Sequence, residues 1–424
     1  MPISSLTRCL PGRIFGGAAL TAAALLAGLG STASAQAEDA AAAASPRPNV
    51  VLVVIDDLNH DVGYAGLDVH TPNLDRLAER GRVFMNAHTN SPVCNPSRTS
   101  FLLGKYPHTI GVTDNDTFFR ELPAFRDAVT MPQFFRNNGY HVAGAGKIFH
   151  SGWRPPSNPR HKFVDRNNSW DEYNEVAIGT PVPRPHPNDW HGGRVRTWWG
   201  KSFWWATIDA EDEETGDWKN SDFIAKRLEQ PPAHGKPMFL AAGIFRPHLP
   251  FVAPRKYMDL YPPQTGTPTD LPGLKEGDRR DLPPTGRKWS NKTGVHGQLV
   301  RTDLWGEALA AYRASTTFAD ACVGRILEAY DNSPVRDNTY LVLTSDHGFH
   351  LGEKGAWSKF TFWDRSTRVP FIVVGPGIEP GVTTRTVSLI DLFPTFASLE
   401  AYDNSPVRDN TYLVLTSDHG FHLG

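Results

Sequence analysis

Cysteine is scarce in this chain, with three among 424 residues, at positions 9, 94 and 322. So few exclude a disulfide framework as the main source of stability, although a single pair stays open. A surplus of basic charge is also missing. Lysine and arginine number 43 against 45 aspartates and glutamates, for a formal net charge of −2. That balance argues against nucleic acid or an anionic membrane as partner, so any recognition of a polyanion has to be local. The apolar run near the N-terminus, Ala18 to Ala27, is short for spanning a bilayer, which makes a membrane anchor the lesser of its two readings.

Arg8 and Arg13 precede that run, and Ala33-Ser34-Ala35 follows it. Basic, apolar and small-x-small segments in this order read as a Sec-type signal peptide over residues 1–35. The expected consequences are a periplasmic or extracellular protein, no membrane contact after cleavage, and a flexible mature N-terminus over 36–47. Apolar residues make up 40% of the chain and charged residues 21%, which predicts a buried core. The length accommodates one large α/β domain or two modest ones.

Asn49 to Ile55 is an unbroken apolar, β-branched run that reads as a strand buried on both faces, and it ends in Asp56-Asp57. A second run, Tyr340 to Thr344, ends in Ser345-Asp346-His347-Gly348, and a third spans Pro370 to Val374. Helical patterns cover Thr71 to Arg80 and Leu304 to Tyr330. Strands alternating with helices predict a doubly wound, mostly parallel α/β sheet. Ligands in such sheets bind beyond the carboxyl ends of the strands, which gives the acidic pairs a common meeting place.

Residues 151–218 are rich in Pro, Trp, Asn and Arg and read as long loops or a lid over the strand ends. The pairs Trp198-Trp199 and Trp204-Trp205 suit packing onto the domain better than stacking on sugar rings, because aromatics serve mostly in burial. At the C-terminus, 399–424 copies 327–352 residue for residue over 26 positions. Structural repeats diverge, so an identical copy reads as a recent duplication or an assembly error. Asp418 and His419 in the copy are expected to form no second site.

Cys94-Asn95-Pro96-Ser97-Arg98 precedes Thr99-Ser100-Phe101-Leu102-Leu103-Gly104, with a helix expected to begin near Pro96. Alone, the pentapeptide also fits an inert buried cysteine at a helix start, and Asp56-Asp57 alone fits a helix cap as well as a metal site. Three further elements follow in order: Gly146-Lys147-Ile148-Phe149-His150, Arg246-Pro247-His248-Leu249-Pro250-Phe251, and Gly352-Glu353-Lys354-Gly355-Ala356-Trp357-Ser358-Lys359.

Together these resemble the type I, formylglycine-dependent sulfatases of the alkaline-phosphatase-like superfamily, and most of all their iduronate-2-sulfatase branch. The resemblance spans Pro48 to about Ala397, which sets a catalytic domain at 48–398. It implies a secreted enzyme hydrolysing sulfate esters of a sulfated carbohydrate, with 2-O-sulfated uronic acids as the substrate class of that branch. It implies that a maturation enzyme oxidises Cys94 to formylglycine. The hydrate of that aldehyde offers one hydroxyl to attack sulfur and a second to expel sulfate afterwards. Arg98 would hold the hydrate, Lys147 and Lys359 would bind sulfate oxygens, His150 would act as base in sulfate elimination, and His248 would protonate the leaving alcohol. Asp56, Asp57, Asp346 and His347, with residue 94 itself, would hold the metal. Carboxylate oxygens suit Ca²⁺, with Mg²⁺ second and His347 the less typical ligand. The family's smaller C-terminal subdomain has no counterpart and is expected to be missing or truncated. Two other readings stay open: a phosphonate monoester hydrolase or phosphodiesterase of the same superfamily, and an inactive truncated fragment.

Overall fold

The computed structural model describes residues 47–150, 158–174, 193–196, 202–233, 235–275, 277–290 and 293–403. The signal peptide, most of the mature N-terminal tail, Trp198-Trp199 and the copied Asp418 and His419 lie outside the described residues.

β1 (Asn49–Ile55) is buried along its whole length. It lies parallel to β7 (Met238–Ile244) on one side and to β9 (Thr339–Ser345) on the other. β3 (His141–Gly146) continues the parallel arrangement beside β7, and β4 (Glu172–Asn174) pairs with β3. Beyond β9 the sheet changes direction: β11 (Phe371–Val374) runs antiparallel to both β9 and β2 (Arg82–His88). β10 (Arg368–Val369) and β12 (Gly381–Ser388) also pair with β2. The nine strands thus run β10-β2-β11-β9-β1-β7-β3-β4, with β12 joined to β2.

Alternation along β1 explains why the sheet is covered on both faces. Val51, Val53 and Ile55 enter one core with Leu74 and Leu77 of the helix Pro72–Arg80, Ile224 and Leu228 of Gly216–Glu229, and Ile326 and Leu327 of Trp305–Asp331. Val50, Leu52 and Val54 enter the other with Phe101 and Leu102 of Cys94–Leu103, Met131 and Phe135 of Met131–Asn137, and Phe396 of Leu392–Asp403. Each such side chain contributes about 1.5–3 kcal/mol on burial, so the two cores set which face every helix takes. The expected doubly wound, mostly parallel sheet is the observed one.

Within 151–218, read from sequence as long loops, the described residues hold regular structure. β4 extends the main sheet, and Trp170 packs beneath β3 so closely that a Cβ on Gly144 would meet its ring at 2.5 Å. β5 (Gly193–Arg196) and β6 (Ser202–Ile208) form a second, three-stranded sheet with β8 (Phe251–Pro254). Trp205 on β6 is buried in the first core, in line with a packing role for that aromatic pair.

Candidate functional site

Four parallel strands deliver the candidate residues to one edge. β1 ends before Asp56 and Asp57, and its last residue Ile55 is level with Ser345, which precedes Asp346 and His347. β3 ends before Lys147, and β7 before Phe245, Arg246 and His248. Two glycines let β3 and β7 converge there. Gly146 has φ +71 and a Cβ on it would lie 2.0 Å from Gly243 O, while a Cβ on Gly243 would lie 2.1 Å from the Lys147 carbonyl carbon. The close approach forms Lys147 N–H to Gly243 O at 2.9 Å and fixes the root of the Lys147 side chain.

The helix expected near Pro96 begins at Cys94, so the thiol stands in its first turn, where free N–H groups favour negative charge. Asn95 ties this turn to the following loop: its N–H donates to Asn115 Oδ1 at 3.0 Å, and its amide to Asp114 O and Thr117 O at 2.9 and 2.8 Å. Cys94 is buried, with Sγ 3.3 Å from His347 Nε2 and 3.2 Å from Lys359 Nζ, and it is hydrogen-bonded with His150. Burial pushes its thiol up, but Lys147, Lys359 and His347 pull it well below the ordinary range.

Arg98 is fully buried beneath these groups. Its Nε donates to Asp346 Oδ2 at 3.0 Å, and its terminal nitrogens donate to Asp56 Oδ1 at 3.1 Å and to the carbonyls of Lys147 and Ile148. One guanidinium thereby joins the ends of β1, β9 and β3. Lys147 pairs with Asp56 Oδ2, and Lys359 lies 2.5 Å from Asp57 Oδ1. Burial raises the Asp56 carboxyl, and Lys147, His248 and Arg98 together bring it below its usual value. Asp346 goes the other way: burial outweighs Arg98 and lifts it to about 7. His347 rises to about 9 despite burial, because Asp346 and Cys94 face it. His150 is held down at about 4, chiefly by burial.

Asp57 adopts φ +64, a left-handed conformation uncommon outside glycine. It is held there from two sides. The Tyr312 hydroxyl donates to Asp57 O at 2.9 Å and accepts from Asn59 N at 3.0 Å, and Asp57 N–H donates to Asp346 Oδ1 at 3.1 Å. His248 donates from Nδ1 to Leu249 O at 2.6 Å, which turns Nε2 toward Asp57 Oδ2 at 3.9 Å. Its side chain is 22% exposed, so it faces the open side of the site.

All ten residues singled out from sequence therefore meet at one place. Two sets of side chains are close enough to share a cation: Asp56, Cys94, Asp346 and His347, and Asp57, Cys94 and His248. Three of the six donors are carboxylates, whose oxygens suit a hard divalent ion, and Asp57 Oδ2 is buried without a hydrogen-bond partner among the described residues. Sequence reasoning missed Tyr312, which nothing in its helical surroundings marks, and Phe245, whose ring lies 5.3 Å from Lys147 Nζ and 4.6 Å from the His248 ring. It also missed Ser97, whose hydroxyl donates to Asp346 O at 2.5 Å.

Carboxylates, lysines and a helix start gathered at the carboxyl ends of a doubly wound sheet define an ester hydrolase of the alkaline-phosphatase-like class. A sulfatase family model matches residues 48–402, and the chain belongs to the sulfatase family, which hydrolyses sulfate esters. A sulfatase of Formosa agariphila is 32% identical over 382 residues, covering 85% of this chain and 71% of that one. Iduronate 2-sulfatase of Homo sapiens is 29% identical over 395 residues, covering 84% and 70%. Among solved structures, a 2-O GAG sulfatase superposes with a TM-score of 0.57 at 22% identity, covering 84% and 71%, which speaks for the fold.

Proposed function

We propose that this sulfatase removes sulfate from a sulfated carbohydrate of the 2-O-sulfated uronic acid class. In this reading a separate maturation enzyme converts Cys94 to formylglycine, and Asp56, Asp57, Asp346 and His347 hold Ca²⁺, with Mg²⁺ second. The observation that carries it is the position of Cys94 in a helix first turn, 3.2 Å from Lys359 Nζ and 3.3 Å from His347 Nε2, beside three carboxylates. Formylglycine, once formed, supplies a geminal diol for attack on sulfur and later release of sulfate. A divalent cation, once bound, supplies positive charge against the sulfate oxygens.

The chain's own residues supply the rest. Lys147, paired with Asp56, and Lys359, paired with Asp57, offer ammonium groups to a tetrahedral anion. His150, hydrogen-bonded to residue 94, is placed to take a proton there. His248, on the open side with Nδ1 committed to Leu249 O, offers Nε2 to the leaving oxygen. Arg98 serves in this reading by fixing Asp56 and Asp346 rather than by reaching the open side.

Residues 1–35 are read as a signal peptide, which places the enzyme in the periplasm or outside the cell. Residues 48–398 form the catalytic domain, and the copy at 399–424 carries no second site. The experiment is a sulfate-release panel on matched 2-O-, 4-O- and 6-O-sulfated disaccharides, with an aryl sulfate and an aryl phosphonate beside them. Fastest release from the 2-O ester is expected. Release from another position first would refute the 2-O assignment, and faster phosphonate turnover would favour a phosphonate monoester hydrolase. No release from any ester by formylglycine-bearing protein would mark the chain as inactive.

A further inference from the structure

Outside the site lies a second buried ionic group that the chemistry above does not use. Arg365, in the short helix Asp364–Thr367, forms a two-pronged pair with Asp61, Nη1 to Oδ1 at 2.6 Å and Nη2 to Oδ2. Its Nε stands 2.7 Å from Glu353 Oε1. The side chains are 11%, 5% and 3% exposed, so two carboxylates share one guanidinium away from water. A buried ion cluster of this kind stabilises no better than apolar packing of the same volume, so stability alone does not account for it.

Each partner leads directly to the site. Asp61 closes the turn that begins at Asp57: its N–H donates to Asn59 Oδ1 at 3.0 Å, and Asn59 N–H donates to the Tyr312 hydroxyl that holds Asp57 O. Glu353 Oε2 accepts from Leu351 N at 2.7 Å, on the loop that follows Asp346 and His347. Arg365 itself stands on the segment that carries Lys359. That segment is fastened by His350 N–H to Ser358 O at 3.0 Å, His350 Nε2 to Thr361 Oγ1 at 2.8 Å, Thr361 Oγ1 to Ser366 Oγ at 2.8 Å, and Gly348 N–H to Ser366 O at 2.8 Å. Arg365 therefore ties the turn that runs from Asp57 to Asp61 and the loop after His347 to the segment that carries Lys359.

We infer that Arg365 is a positioning residue for sulfate-ester cleavage, setting Lys359 against Asp57 and residue 94 through its hydrogen-bonded fork on Asp61 and its ion pair with Glu353. A lysine keeps the charge but reaches only one partner, since an ammonium lacks the rigid planar fork. Displacement of a reacting group by about 1 Å can cost on the order of 100-fold in rate.

The test is steady-state kinetics of Arg365→Lys and Glu353→Gln on an aryl sulfate, with the formylglycine content at position 94 measured by peptide mass and turnover expressed per matured molecule. For Arg365→Lys, kcat is expected to fall on the order of 10- to 100-fold with KM within about threefold, well below the melting temperature. Glu353→Gln, which leaves the Asp61 pair intact, is expected to lose about 3- to 10-fold in kcat. If both folded variants keep kcat per matured molecule within about twofold while only their melting temperatures drop, the cluster is structural and the inference is overturned. Should Arg365→Lys fail to fold, Glu353→Gln decides by the same criterion.

Discussion

Lys359 Nζ lies 3.2 Å from Cys94 Sγ across 265 residues of sequence, and 2.5 Å from Asp57 Oδ1. One ammonium thus touches both the site of the proposed nucleophile and one of the proposed metal carboxylates. Lys359→Ala is expected to lower kcat on the order of 100- to 1000-fold, the usual cost of removing a group that stabilises transition-state charge. Steady-state kinetics on an aryl sulfate checks this, and a kcat within tenfold of the parent would remove Lys359 from the mechanism.

Metal removal tests the carboxylate cluster. Exhaustive chelation is expected to abolish turnover and lower the melting temperature, with Ca²⁺ restoring both better than Mg²⁺. At a free ion concentration 100 times the dissociation constant, binding contributes about 2.7 kcal/mol to stability, so the shift is measurable by calorimetry. Full activity in chelated protein shown by elemental analysis to be metal-free would exclude a metal role.

The glycine pair beneath Lys147 makes a packing prediction. Gly243→Ala places a methyl 2.1 Å from the Lys147 carbonyl carbon, against backbone that cannot yield. Overpacking of this kind costs about 1–3 kcal/mol or more, and chemical denaturation should show at least that loss along with reduced turnover.

Asp320 gives a prediction remote from the site. It caps the helix Pro72–Arg80 from the long helix, accepting from Asn73 N at 3.1 Å and Leu74 N at 2.8 Å. Asp320→Ala leaves both N–H groups unmatched and is expected to cost about 1–3 kcal/mol. Burial lifts the carboxyl from 3.8 to about 6. A raised folded-state pKa means that this group's contribution is fully present below pH 3.8 and declines as pH rises through about 6. The stability of the parent relative to Asp320→Ala should fall over that window, as read from unfolding curves at a series of pH values. A gap that stays constant across the window would contradict the assignment.

The features legible in the sequence were those with strong local signals. The runs ending at Ile55 and Thr344 lie buried in the sheet centre, and such strands are uniformly apolar. The ten site residues were legible because each sits in a short motif. β2, reading RVFMNAH, is only half-buried and carries no such run, β4 and β5 are strands of three and four residues, and all of β4 to β6 lie in a Pro- and Trp-rich stretch. The supports of the site were not legible either. Tyr312 and Arg365 act across 255 and 304 residues respectively, and nothing in their own neighbourhoods announces the partner.

The central claim is that position 94 carries the catalytic group as formylglycine. The direct measurement is the mass of the tryptic peptide containing residue 94, from protein made in its native host, with turnover measured on the same sample. The account predicts a mass matching aldehyde in place of thiol, and an activity that scales with the aldehyde fraction. Sulfate-ester turnover by protein whose residue 94 is wholly unmodified cysteine would contradict it.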